Sequence, residues 1–257
     1  MGQPIVGHLV RKGFSVVAHD IDAGKRDAVL ALGAAWAATP ADLARASEAV
    51  LICVGYDREL RALVSRALLE SLPAAAIVAV LSSVNPATVC ELAELARLVG
   101  VHLIDSTMCR GGRAADEGTL LTFIAGDPAV AERLTPVVSC YSADIVYTGM
   151  VGTAQVAKAA NNMVMWACLV ANHEALALAA RFGMDPERLR SALVRTGADN
   201  AVLRNWGTST MAWAEDDLDV VQAMANAAGM GLPQAGLNRE ICRTLKPKRF
   251  RLDAYGI

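Results

Sequence analysis

The chain has 257 residues, enough for one large domain or two ordinary ones, each able to bury a core. Hydrophobic residues make up 54% and charged residues 19%, which excludes a disordered chain. The net charge of −2 argues against a dedicated nucleic-acid binder, and the basic run Lys246-Pro247-Lys248-Arg249-Phe250-Arg251 reads as a solvated terminus.

Through residue 148, apolar runs alternate with amphipathic segments. Residues 4–12 form the first amphipathic segment, followed by an apolar β-branched run at 14–19. Further runs fall at 49–54, 76–81, 102–104, 121–125 and 145–147, and helical patterns at 23–32, 40–46, 57–70 and 86–99. This alternation predicts parallel strands joined by right-handed crossovers, a doubly wound α/β sheet.

Two features of this half point to a dinucleotide. Asp20 follows the strand ending at His19, where an acid accepts bonds from ribose hydroxyls, although it could equally open the turn 20–24. Gly2 lies 18 residues upstream at the opening of helix 4–12. That spacing fits the last glycine of a G-x-G-x-x-G turn, with a phosphate at the helix N-terminus. The first two glycines and the strand before them are absent. That strand would be central, so the strands flanking its place lose a shared neighbour. The expectation is a protein that starts upstream, with Met1 an internal methionine. Val54 and Gly55, at the carboxyl edge of the sheet, are further candidates for cofactor contact, with a plain turn equally open at Gly55-Tyr56-Asp57. Cys53, ending a buried strand, is expected in the core.

The second half is predicted helical over 153–182, 186–195 and 216–228, with Gly183 a stop and Asp185-Pro186 a start. The apolar stretch 154–180 is broken by Lys158, Asn161, Asn162, His173 and Glu174, which indicates a buried helix and not a membrane span. His173-Glu174 is expected on an exposed stripe. Lys158 and Asn162 lie four residues apart, hence on one helix face. A cation and an amide presented together can hold and protonate a carbonyl oxygen. The flanking apolar residues would partly desolvate the ammonium, favouring proton exchange. The plainer reading is a lysine that snorkels to solvent beside a surface amide. The six cysteines (53, 90, 109, 140, 168, 242) form no CxxC pair or zinc-like cluster, so no metal is expected and a reducing cytoplasm fits.

Four segments, in order, resemble the β-hydroxyacid dehydrogenases, the group of 3-hydroxyisobutyrate dehydrogenase and tartronate semialdehyde reductase. Met1-Gly2 resembles the end of the family's G-x-G-x-M-G turn. Ser82-Ser83-Val84-Asn85-Pro86 resembles its S-T-x-x-P segment, whose hydroxyls lie near the nicotinamide. Asp105 to Gly112, with Gly118-Thr119-Leu120 at the same 13-residue spacing, resembles its substrate loop D-x-P-V-S-G-G…G-T-L. Gly152 through Asn162 resembles its G-x-x-x-x-x-K-x-x-N-N helix. The resemblance implies Lys158 as general acid/base with Asn162 its hydrogen-bonding neighbour. It implies Cys109, Arg110 and Gly111 along the substrate carboxylate site, and Met1, Gly2, Asp20, Val54, Gly55, Ser82 and Ser83 along the cofactor.

Three departures stand out. Cys109 replaces the family serine, and a thiol is the weaker donor. Arg110 replaces a glycine and adds a planar cation suited to carboxylate or phosphate. Arg110 turned to solvent and Cys109 as small apolar filler are equally open. Asp216, in Asp216-Asp217-Leu218, stands where the family has lysine. It is read first as the N-cap of helix 217–228 and second as a substrate contact, either leaving anion binding to Arg110 or itself binding a cationic group. Trp206 and Trp213 are expected mainly in packing.

The reading is therefore a Rossmann-type doubly wound sheet over 1–149 and an all-α substrate and oligomerisation domain over 150–257. The resemblance implies hydride transfer between a nicotinamide cofactor and a small β-hydroxy acid or semialdehyde, in a homodimer or homotetramer. The alternatives are reduction of an imine or other non-acid carbonyl analogue, or a silent nucleotide-binding or assembly protein. NAD is favoured because Asp20 repels a 2′-phosphate and Ile21 offers it no cation. Lys25-Arg26, able to fold back, keeps NADP open.

Overall fold

The computed structural model describes residues 1–208, 211–248 and 250–254, so Arg249 of the basic run and the terminal Tyr255, Gly256 and Ile257 lie outside the described residues. The chain divides into two compact units, Met1–Lys158 and Ala159–Ile257.

The first unit opens with α1 (Gly2–Arg11), β1 (Val17–Ala18), α2 (Arg26–Ala31) and β2 (Ala35–Trp36). It continues with α3 (Pro40–Arg45), β3 (Ala49–Ile52), α4 (Asp57–Leu63), α5 (Arg66–Glu70), β4 (Ile77–Val80) and α6 (Pro86–Arg97). Then come β5 (His102–Cys109), α7 (Gly111–Glu117), β6 (Leu120–Ala125), α8 (Pro128–Val138) and β7 (Ser142–Gly149). Side-chain caps followed by proline start three of these helices: Thr39 accepts from the Asp42 N–H, Asn85 from Ala87, and Asp127 from Ala129. Ser65 accepts from the Leu68 N–H and opens a second helix, which splits the segment 57–70 in two.

β1 and β2 form a parallel pair apart from the main sheet, whose order is β3-β4-β5-β6-β7. β4 lies inside that sheet and is buried on both faces. Ile77 and Ala79 join a core with Ile104, Leu134 and Tyr141, while Val78 and Val80 join another with Leu60, Leu92 and Leu103. Parallel pairing holds except between β5 and β6, which run antiparallel. The expectation of parallel strands throughout fails there because only the short α7 joins them, and a parallel crossover needs a dozen residues or more. β5 also runs well beyond 102–104, through Asp105, Ser106 and Thr107, all fully buried. Its polar interior hides it from hydropathy patterning. Cys53 is exposed instead of core, because β3 ends at Ile52 on the edge of its sheet.

The second unit holds most of α9 (Thr153–Arg181), then α10 (Pro186–Leu193), α11 (Ala201–Arg204), α12 (Ala214–Ala227) and α13 (Pro233–Leu245). α9 is long and apolar enough to cross a membrane by length and composition. Its Trp166, Leu169 and Val170 are nevertheless buried with Leu218, Val221, Cys242 and Leu245 in this unit's core. Trp166 Nε1 donates to Asp217 Oδ2 at 3.0 Å, pinning α12 to α9. His173 is buried, contrary to its expected place on an exposed stripe, while Glu174 is exposed. The His173 ring lies 4.7 Å from Trp206 and 5.6 Å from Phe250, and burial lowers its pKa to about 4, so it is neutral at neutral pH. Asp216 is not the N-cap. α12 begins at Ala214 with Trp213 in the cap position, which places Asp216 in the first turn beside Glu215 and Asp217. Three acids there complement the positive end of the helix.

Candidate active site

The carboxyl ends of β4 and β5 meet the start of α9, and buried polar side chains tie the three together. Asp105, fully buried on β5, accepts from the Gly152 N–H at 2.9 Å with Oδ1 and from the Gln155 N–H at 3.0 Å with Oδ2. It thus caps α9 from another element and satisfies N–H groups that have no intrahelical partner. Burial pushes its carboxyl up from the ordinary value, against the pull of these donors. Gly152 has φ of +93°, and a Cβ there would come within 3.0 Å of Cys90 Sγ, so glycine is required for this approach. Thr107 Oγ1 donates to the Ala154 carbonyl at 2.9 Å.

Gln155 completes the link. Its Oε1 accepts from the Val84 N–H at 3.0 Å and its Nε2 donates to the Ser82 carbonyl at 2.9 Å. The Ser82 hydroxyl accepts from the Val54 N–H at 2.7 Å. These bonds set the position of Lys158, whose Nζ lies 4.0 Å from Cys109 Sγ at the end of β5. Lys158 is half-buried and Cys109 buried. Asn162, one turn further along α9, is buried and accepts from Asn161 Nδ2 at 3.1 Å.

Arg110 is exposed and adopts φ of +82°, a conformation costly for any residue with a Cβ. Its guanidinium pairs with Asp144 at 2.5 Å and donates to the Thr119 carbonyl at 3.0 Å. A substrate anion would therefore compete with Asp144 for it. Gly111 follows with φ of +76° and opens α7. Asp216 is exposed in the second unit.

The residues expected along a nucleotide lie as follows. Met1 stands at the N-cap of α1 and has no side-chain oxygen to satisfy the first-turn N–H groups. A Cβ on Gly2 would meet nothing within 4 Å outside its chain neighbours and its own helix backbone, and its N–H faces the Cys53 thiol. Asp20, past β1, accepts from the Asp22 N–H and from Lys25 Nζ, each at 2.9 Å. Partial burial pushes its carboxyl up, but these two donors outweigh that and hold it below the ordinary carboxylate value. The Gly55 N–H is taken by Glu59 at 2.8 Å, while Ser82 is buried and Ser83 half-buried at the end of the β4 segment. A helix N-terminus without a side-chain cap and an acid beyond the next strand fit a dinucleotide. Sequence reasoning gave no role to Asp105, Thr107 or Gln155. The signal available was a polar residue, Gln155, inside an apolar run three residues before Lys158.

Residues 1–152 match the model of the NAD binding domain of 6-phosphogluconate dehydrogenase, and residues 152–252 match that of the NAD-binding of NADP-dependent 3-hydroxyisobutyrate dehydrogenase. The chain belongs to the β-hydroxyacid dehydrogenase family. Like other β-hydroxyacid dehydrogenases it is an oxidoreductase acting on CH–OH groups with NAD(P). Among its relatives is the 2-hydroxy-3-oxopropionate reductase of Escherichia coli, 28% identical over 95% of this chain and 87% of that one. The Mycobacterium tuberculosis 3-hydroxyisobutyrate dehydrogenase, solved with L-serine, superposes with a TM-score of 0.89 at 21% identity, covering 98% of this chain and 92% of that chain. An imine reductase from Myxococcus stipitatus, solved with NAD+, gives a TM-score of 0.69 at 18% identity, over 97% and 91%. At these identities the structural likeness is one of fold.

Proposed function

We propose that this β-hydroxyacid dehydrogenase exchanges hydride between a nicotinamide cofactor and a small β-hydroxy acid or its semialdehyde, with Lys158 as general acid/base. The observation that carries this is the placement of Lys158 Nζ beside Cys109 at the end of β5, by an α9 whose start is fixed by Asp105, Thr107 and Gln155. The nicotinamide supplies or accepts the hydride. Lys158 takes the hydroxyl proton as the alcohol is oxidised and returns it to the carbonyl oxygen in reduction, and Asn162 orients the lysine and the substrate oxygen. Cys109, Arg110 and Gly111 line the carboxylate site. Met1 and Gly2 would receive the pyrophosphate, Asp20 the adenine ribose, and Val54, Gly55, Ser82 and Ser83 the nicotinamide half.

NAD is the favoured cofactor, since Asp20 repels a 2′-phosphate; its ion pair with Lys25 keeps NADP accessible. The test is calorimetry with both nucleotides, then turnover of a panel of three- to five-carbon β-hydroxy acids and cyclic imines. Hydroxy-acid turnover with tighter NAD binding is expected. Turnover of imines alone would favour the second reading, for which the Cys109 thiol in a serine position leaves room and against which the retained Lys158 argues. Nucleotide binding without any turnover would favour a silent protein.

A homo-oligomer is also proposed. Val164 and Leu178 are 58% and 60% exposed along α9, and Phe182, just past its end, is 84% exposed. Such a stripe suits burial against a second copy. Light scattering should show a dimer or larger, and Val164→Glu should shift it to monomer; a monomeric wild type would refute the proposal.

A further inference from the structure

Gln155 is 2% exposed, and both ends of its amide are used on one stretch of backbone in the loop after β4. Its oxygen takes the Val84 N–H and its nitrogen supplies the Ser82 carbonyl. Ser82 in turn holds the Val54 N–H at the end of the β3 segment. Three residues along the same helix face stands Lys158. We infer that Gln155 is a positioning residue, whose paired hydrogen bonds register the Lys158 helix against the Ser82–Val84 loop. This rests on the proposed role of Lys158 and deepens it. It assigns to Gln155 the distance between the proton-transferring ammonium and the loop expected beside the nicotinamide.

The chemistry is selective. Only a group carrying one donor and one acceptor, side by side, satisfies both backbone partners. Methionine fills the volume and satisfies neither. Glutamate keeps the acceptor but turns a second lone pair on the Ser82 carbonyl. Protonated glutamic acid regains a donor and restores both bonds, and burial raises a carboxyl's affinity for the proton. Asp105 and Thr107 continue to hold the first turn of α9 in either variant.

The experiment compares wild type, Gln155→Met and Gln155→Glu. All should fold, by circular dichroism and thermal unfolding, and should bind nucleotide within about threefold of wild type. kcat should fall about tenfold or more with KM little changed, the pattern of lost positioning in the transition state. Activity of Gln155→Glu relative to wild type should recover as pH falls below about 6, and Gln155→Met should not recover at any pH. A second readout needs no turnover: the rate of amine labelling at Lys158, by mass spectrometry, should change in both variants while Lys12 and Lys25 keep theirs. Unchanged kcat and unchanged Lys158 labelling in stably folded variants would overturn the inference. Wild type that labels as expected but turns over no hydroxy acid would instead refute the activity reading and leave the positioning intact.

Discussion

Lys158→Met is expected to lower kcat/KM by roughly a thousandfold, within the range that general acid/base groups contribute. Methionine matches the length and apolar stem of lysine, so packing near Cys109 is preserved and the missing element is the exchangeable proton. Nucleotide affinity should stay within about threefold, which separates loss of chemistry from loss of fold. Lys158→Arg is the sharper control. It keeps the charge, and any simple electrostatic role, but guanidinium does not release its proton in proteins. If arginine restores turnover to within about tenfold of wild type, Lys158 acts as a fixed cation and the acid/base role fails. An exogenous primary amine added to Lys158→Ala should partly rescue turnover, since it returns a titratable nitrogen to the vacated volume.

Much of this arrangement was legible from the sequence, and its omissions share a cause. The alternation of apolar runs and amphipathic segments gave the sheet strands and most helices, because β4 and its neighbours present continuous apolar residues to two covered faces. Of Lys158 and Asn162, their spacing gave their place one turn apart on α9, since i and i+4 on a helix permit only one relation. β5 beyond Ile104 was not legible. Its Asp105, Ser106 and Thr107 look like a loop until two of them are seen bonded to α9, so the polar run is buried by partners distant in sequence. The antiparallel β5–β6 pair was hidden for a related reason: the length of the connection decides direction, and α7 had not been recognised. Asp216 shows the limit of a local rule. Aspartate is a favoured N-cap, but the first turn of α12 starts two residues earlier and takes three acids in succession. Arg110 shows another, since neither proposed role foresaw its pairing with Asp144.

Asp105→Ala is expected to cost about 3 kcal/mol of stability and most of the activity, through one cause. Its two oxygens serve the Gly152 and Gln155 N–H groups, and removing it leaves both donors buried without that acceptor, at about 1–3 kcal/mol each. The gross loss is partly offset, because the burial that pushes the Asp105 carboxyl up is a cost of keeping it ionised, and alanine removes that cost. Asp105→Asn should lose about half as much, since the amide retains one acceptor and turns its NH2 toward the other donor. The pH dependence fixes the sign. The folded-state pKa lies above the unfolded value of 3.8, so the native state binds the proton more readily than the unfolded chain. The burial cost is fully present above the folded pKa and is relieved as pH falls through it toward 3.8. The stability gap between wild type and Asp105→Ala, measured by urea unfolding, should therefore widen on mild acidification. A gap that narrows would mean that Asp105 acts mainly as a buried anion stabilised by its surroundings. With the first turn of α9 released from β5, Lys158 loses its fixed distance from Cys109. kcat should then fall in Asp105→Ala even where most of the protein remains folded, and Asp105→Asn should retain more of it.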